Sequence, residues 1–159
     1  MLNKMGHFFM KKKSKLQKKI EDPTSRLWRN KADRAWKELV SFKNKGKCAF
    51  CFSNEYCQAH HLIPREILQY RHKVTNGILL CCSHHKYSFL FSAHKNPIRF
   101  AIWLQEADPE RWAWLQQAAK DIPEEGNYVE KPNYKEIYLS LQKALDELNP
   151  PTNIPSTEG

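Results

Sequence analysis

No stretch of the 159-residue chain approaches the roughly 18 consecutive apolar residues of a membrane-spanning helix. No helical membrane span is therefore expected. The opening segment, "MLNKMGHFFMKKKSK", has a short apolar patch, but its lysines lie on the wrong side and no small-residue cleavage site follows. No signal peptide is read there. The expected setting is cytoplasmic, where cysteines stay reduced. Five cysteines is an odd number, which argues against a closed set of disulfides. The chain also lacks internal repeats and any repeated base-reading module. An array of sequence-specific nucleic-acid readers is not expected.

Positive charge is abundant and unevenly spread. Residues 1–47 carry 15 Lys/Arg against 4 Asp/Glu, whereas residues 105–159 carry 5 against 11. A basic first part is the electrostatic footprint of a polyanion binder, although a solvated lysine-rich tail has the same composition. Hydrophobic residues make up 41% of the chain, enough for one core with helical additions.

Five segments are read along the chain. Residues 1–23 form a basic arm, flexible or helical on a polyanion. Residues 24–47 form a helical N-terminal extension. Its helix runs from Thr24 to about Phe42, with Trp28, Ala32, Trp36, Leu39 and Val40 at helical spacing, and "KNKGK" closes it with a turn. Residues 48–105 form the core. There a knuckle leads into a strand near His61, "GILLC" makes a second strand, and a helix starts near Cys82–His85. Residues 106–149 form a helical C-terminal extension. Pro97 and Pro109 open helices, Gly126 breaks the chain, and Asn133 with Glu136 caps "YKEIYLSLQKALDEL". The stripe of Tyr134, Ile137, Tyr138, Leu141, Leu145 and Leu148 is read as core packing. Residues 150–159 have little to bury and are expected to be disordered.

Metal-ligand spacing is the sharpest signal. "CAFC" places Cys48 and Cys51 with two residues between them, and "CCSHH" places Cys81 and His84 at the same interval. Structural zinc takes four tetrahedral thiolate or imidazole ligands, commonly as two such close pairs. A Cys3His site of Cys48, Cys51, Cys81 and His84 follows, with Cys82 or His85 as other choices for the fourth ligand. In the Cys3His assignment, Cys57 and Cys82 are the spares. Reduced core cysteines without metal are the bland alternative.

The surrounding residues resemble the HNH endonucleases, the zinc-stapled branch of the ββα-metal or His-Me finger superfamily. The pattern is a CxxC, then a His-His pair with a proline three beyond its second member ("HHLIP"). An asparagine follows, with a cysteine five later ("NGILLC"), and then the fourth zinc ligand immediately followed by a histidine ("CCSHH"). The one departure is His84, where cysteine is the commoner ligand. The resemblance covers roughly 48–105. "SAHKNPIRFAIWL" resembles an extension of phage-type members, which implies phage-type DNA processing: recombination, repair, packaging or host DNA degradation.

The resemblance implies an α+β fold, a small ββα-metal core with a structural zinc set between mostly α-helical N- and C-terminal extensions. It also implies roles. His61 would be the general base, taking a proton from the water that attacks phosphorus. His60 and His85 would hold a catalytic divalent cation, Mg2+, Mn2+ or another. Asn76 would tie the loop between the strands and orient His61. Adjacent strand residues point to opposite faces, so a shared site for His60 and His61 is expected only where the strand bends or ends.

Arg65, Arg71, Lys73, Lys86 and Lys95 cluster around the motif and are read as phosphate contacts or as solvated charge. His94 is read as an extra ligand, a phosphate contact or a helix cap, and His72 as a solvated loop residue. The partner implied is DNA, with RNA left open, and specificity is expected to be modest or structural. The acidic C-terminal helices are a second docking surface, for a protein partner. The competing reading is a zinc-stapled nucleic-acid-binding module without catalysis.

Overall fold

A computed structural model of the chain describes residues 12–122 and 130–149. Most of the basic arm, Gly126 and the 150–159 tail lie outside the described residues. Five α-helices and two strands follow in the order α1 (Lys15–Glu21), α2 (Arg26–Lys43), β1 (Cys57–His61), β2 (Gly77–Cys81), α3 (Pro97–Ala107), α4 (Pro109–Lys120) and α5 (Tyr134–Leu148). This is a mixed helix and sheet fold with helices on both sides of a small core, as the sequence implies. No helix among the described residues is long and apolar enough to cross a membrane.

The helices start where their side chains can satisfy the first free N–H groups. Asn96, Asp108 and Asn133 each accept a hydrogen bond from the backbone three residues on. Helix α2 begins two residues later than Thr24, because Thr24 bonds Asp22 in a local turn instead. The helix expected from Cys82 onward is only a single wide turn, Ser83–Tyr87, closed by the Ser88 N–H on the Ser83 carbonyl at 2.9 Å. The chain then crosses open loop to Pro97.

The sheet is one antiparallel pair, with Cys57 opposite Cys81, His60 opposite Ile78 and His61 opposite Gly77. Strand β2 is buried throughout. Ile78 and Leu80 pack with Cys48, Phe100 and Leu104. On the other side α2 and α5 form a second core, in which Trp36, Leu39 and Val40 meet Leu141 and Leu145. Ile137, Tyr138, Leu141 and Leu145 of the α5 stripe are therefore spent on α2, whereas Tyr134 meets His72 and Leu148, expected in the core, is exposed at the helix end.

Helix α2 presses directly on the start of β2. A Cβ on Gly77 would stand 2.3 Å from a Val40 methyl and 2.8 Å from the Trp36 ring. Both neighbours are fully buried and have nowhere to move. Gly77→Ala is expected to destabilise the fold by about 1–3 kcal/mol through overpacking, read as a lower midpoint in urea. An unchanged midpoint would mean that α2 sits less tightly on the strand than described.

Candidate active site and metal centres

Two separate clusters of ligand-type side chains form. In the first, the sulfurs of Cys48, Cys51 and Cys81 and a ring nitrogen of His84 all lie within 4.8 Å of one another. Cys51 and Cys81 sulfurs are 3.9 Å apart, and His84 Nδ1 lies 3.7 Å from Cys48 and 3.2 Å from Cys81. Thiolates at about 2.3 Å and an imidazole at about 2.0 Å around tetrahedral zinc stand about 3.6–3.8 Å apart, so the spacing fits that ion. The cysteines are free thiols.

Electrostatics agree with a cation at the centre. Burial pushes the Cys48 thiol up, but the backbone N–H groups of Cys51, Cys81 and Phe50 outweigh it and hold the thiol below its ordinary value. Cys51 is pushed up to about 11, by burial first and then by the sulfurs of Cys48 and Cys81. Sulfurs crowded this closely cannot all ionise without a positive ion among them. Cys57 and Cys82 stand apart, each pointing its sulfur at a backbone carbonyl, of Ser53 and Tyr56 respectively.

The second cluster joins His60, His85 and His94, with one ring nitrogen of each within 4.8 Å of the others. They come from β1, the wide turn and the following loop. His85 is buried and His94 exposed, so the cluster opens to solvent at His94. Burial, then the charges of His85 and His94, pushes His60 down to about 3, and burial with His94 and Lys86 pushes His85 down to about 4. Both rings are thus neutral near pH 7, as metal ligands must be. Gln58 sits two residues before His60 on the same strand face, and its amide oxygen lies 3.2 Å from His85 Nδ1. That bond uses Nδ1–H and leaves the Nε2 lone pair free to coordinate. Helix α3 is capped by Asn96, so His94 is not its cap.

His61 lies on the opposite face of β1. Its ring stacks on Trp36 of α2, with centroids 3.9 Å apart and planes 9° from parallel. Its Nε2 is 2.9 Å from the Arg71 carbonyl. A carbonyl only accepts, so Nε2 carries the proton and Nδ1 keeps a free lone pair. Burial lowers the His61 pKa below the ordinary imidazole value, though the Arg71 carbonyl works against this.

His60 and His61 share one cleft where the strand ends, since His61 is the last residue of β1. The cleft, about 950 Å3, runs along the free outer edge of β1, and residues from Cys57 to Leu62 line it. Side chains from both faces reach that edge. His85 and His94 complete the wall.

Asn76 is fully buried below the cleft. Its Oδ1 accepts from the Ile63 N–H at 2.6 Å, and its Nδ2 donates to the Ile63 and Tyr70 carbonyls, each at 3.0 Å. It therefore staples both ends of the segment that leads from β1 towards β2.

The basic residues separate into two groups. Arg65 and Lys86 line the cleft, and so does Lys37 of α2, which sequence reasoning did not single out. Lys73 instead lines a different groove with Glu136 of α5, and Lys95 Nζ lies over the Phe89 ring at 5.5 Å. Neither lines the cleft. Arg71 lines it, but its guanidinium is committed elsewhere: Nε and Nη2 grip the two Asp33 oxygens at 2.8 Å, and Nη1 donates to the Arg65 carbonyl. A phosphate clamp from Arg71 would have to break that pair. His72, expected in solvent, is buried, with Nε2 2.8 Å from Asp33. Asp33 is the missing signal in both cases. The helical spacing shows only which face of α2 is apolar, and an acid among basic residues gives no hint of its target.

Residues 48–95 match the family described as HNH endonuclease. Neither the curated proteins nor the solved structures include a match to this chain. The matched residues contain both ligand clusters, His61 and Asn76, so the stretch similar to that family is the one that holds the candidate site.

Proposed function

We propose that the protein is a metal-dependent DNA endonuclease in which His61 is the general base and His60, His85 and His94 hold a divalent cation, with zinc bound by Cys48, Cys51, Cys81 and His84. The observation that carries this reading is one cleft lined by an imidazole with a free Nδ1 and by three further imidazoles converging nearby. His61 Nδ1 takes the proton from the water that attacks phosphorus. When bound, the cation stabilises the negative charge that builds on the phosphoryl and departing oxygens. Arg65, Lys86 and Lys37 add positive charge for the flanking phosphates. Asn76 keeps the loop that carries the Arg71 carbonyl in place. The zinc holds the turn that presents His85. The resemblance of "SAHKNPIRFAIWL" to phage-type members points to phage-type DNA processing as the setting.

The test is cleavage of supercoiled plasmid and of branched DNA by zinc-loaded protein, with added Mg2+, Mn2+, Ni2+ or Zn2+ and with none. Nicking that depends on the added ion is expected. DNA retention without nicking in every metal would replace this reading with that of a zinc-stapled binding module.

A further inference from the structure

We propose that α2, outside the residues matched to the HNH family, belongs to the active site, with Asp33 and Trp36 as positioning residues that fix the orientation and tautomer of His61. This rests on the nuclease reading for its consequence but not for its geometry. Asp33 and Trp36 are three residues apart, one turn along a single face of α2. Together they grip three consecutive residues of the loop before β2. Asp33 takes the Arg71 guanidinium in two parallel bonds of 2.8 Å and His72 Nε2 in a third. Trp36 donates its indole N–H to the Lys73 carbonyl at 2.9 Å. The residue pinned most firmly, Arg71, is the one whose own carbonyl accepts the His61 Nε2 proton.

Trp36 also acts on the imidazole itself, because its ring covers one face of His61 in a near-parallel stack. His61 is thereby held by its flat face and by one edge, and both restraints trace back to α2. A carbonyl that swings away frees Nε2, and the imidazole then exchanges between tautomers. The proton would sit on Nδ1 for part of the time, where no base is left for the water. The grip is strong for its location. The Arg71 and Asp33 side chains are 12% and 24% exposed, and a two-pronged guanidinium–carboxylate pair is both strong and directional. Burial pushes the Asp33 carboxyl up, yet the bonds from His72 and Arg71 reverse this, so it stays ionised well below the usual carboxylate range.

A plain structural clamp between α2 and the loop would use the same contacts, so the test must read His61 directly. Asp33→Asn and Trp36→Phe are compared with wild type in the full-length, zinc-loaded protein. Asp33→Asn weakens the grip without changing shape. Trp36→Phe keeps an aromatic over His61 but loses the bond to Lys73. Long-range 1H–15N spectra report the His61 tautomer without any cleavage. The expected result is a shift from nearly all Nε2–H towards a mixture in Asp33→Asn. With it comes a fall in kcat of about 10²-fold, the scale of a small misplacement of a reacting group, with no loss of DNA affinity, because the freed Arg71 and the lost carboxylate only add positive charge to the cleft. Trp36→Phe should fall less. A wild-type tautomer and kcat in both variants, measured below their melting temperatures, would overturn the proposal. If wild type itself does not cleave, the nuclease reading fails while the tautomer shift still decides the role of α2.

Discussion

His61→Ala is expected to lower the cleavage rate by about 10²–10⁴-fold, the range that general acid–base catalysis contributes. Folding and DNA affinity should persist. His61 stacks on Trp36 and bonds the Arg71 carbonyl, but both partners are held independently: Trp36 by its bond to Lys73 and by the α2–α5 core, Arg71 by Asp33. Ligand substitutions should behave differently. His60→Ala removes one of three converging imidazoles, so its loss should shrink as the added cation is raised. His61→Ala has no such remedy, because the cluster that binds the ion is intact. Single-turnover nicking of supercoiled plasmid across a metal titration separates the two. Wild-type cleavage by His61→Ala would remove His61 from the mechanism.

The second large effect concerns the other cluster. Cys48→Ser is expected to lose zinc and much of the fold, since zinc-finger peptides draw about 10–16 kcal/mol of apparent folding free energy from their ion. Cys48 is completely buried beside Ile78 and Leu80, so the knuckle and the core fail together. Cys57→Ser and Cys82→Ser are the controls, because both sulfurs point at backbone carbonyls and neither joins the cluster. Elemental analysis should give one zinc per chain for the controls and less for Cys48→Ser, whose melting temperature should fall steeply. Full zinc and an unchanged melting temperature in Cys48→Ser would overturn the ligand assignment.

The parts of the site written at short spacing were legible beforehand. Cys48–Cys51 and Cys81–His84 each converge within a turn, so their spacing carries their geometry, and four such residues do come together. The cap of α5 is legible for the same reason, because an N-cap acts three residues away. What could not be read depends on contacts across the fold. Asp33 reaches residues nearly forty positions away, and Trp36 looks like any other core tryptophan in a helical stripe. His94 joins His60 only because the loop after the wide turn folds back. The reading of His72 failed because a histidine between two cations looks solvated until its buried carboxylate partner is known.

His84 and His85 are neighbours in that turn, yet one faces the sulfurs and the other faces His60 and His94. A single peptide bond separates the two ligand clusters. Any chelator strong enough to strip the first ion also releases the turn that aims His85 at the second. Loss of cleavage in EDTA is therefore an ambiguous result for this protein, since it reports a dismantled scaffold as readily as a missing cofactor. Add-back settles the difference. Activity restored by the divalent cation alone points to the cleft, and activity that returns only after zinc and refolding points to the knuckle.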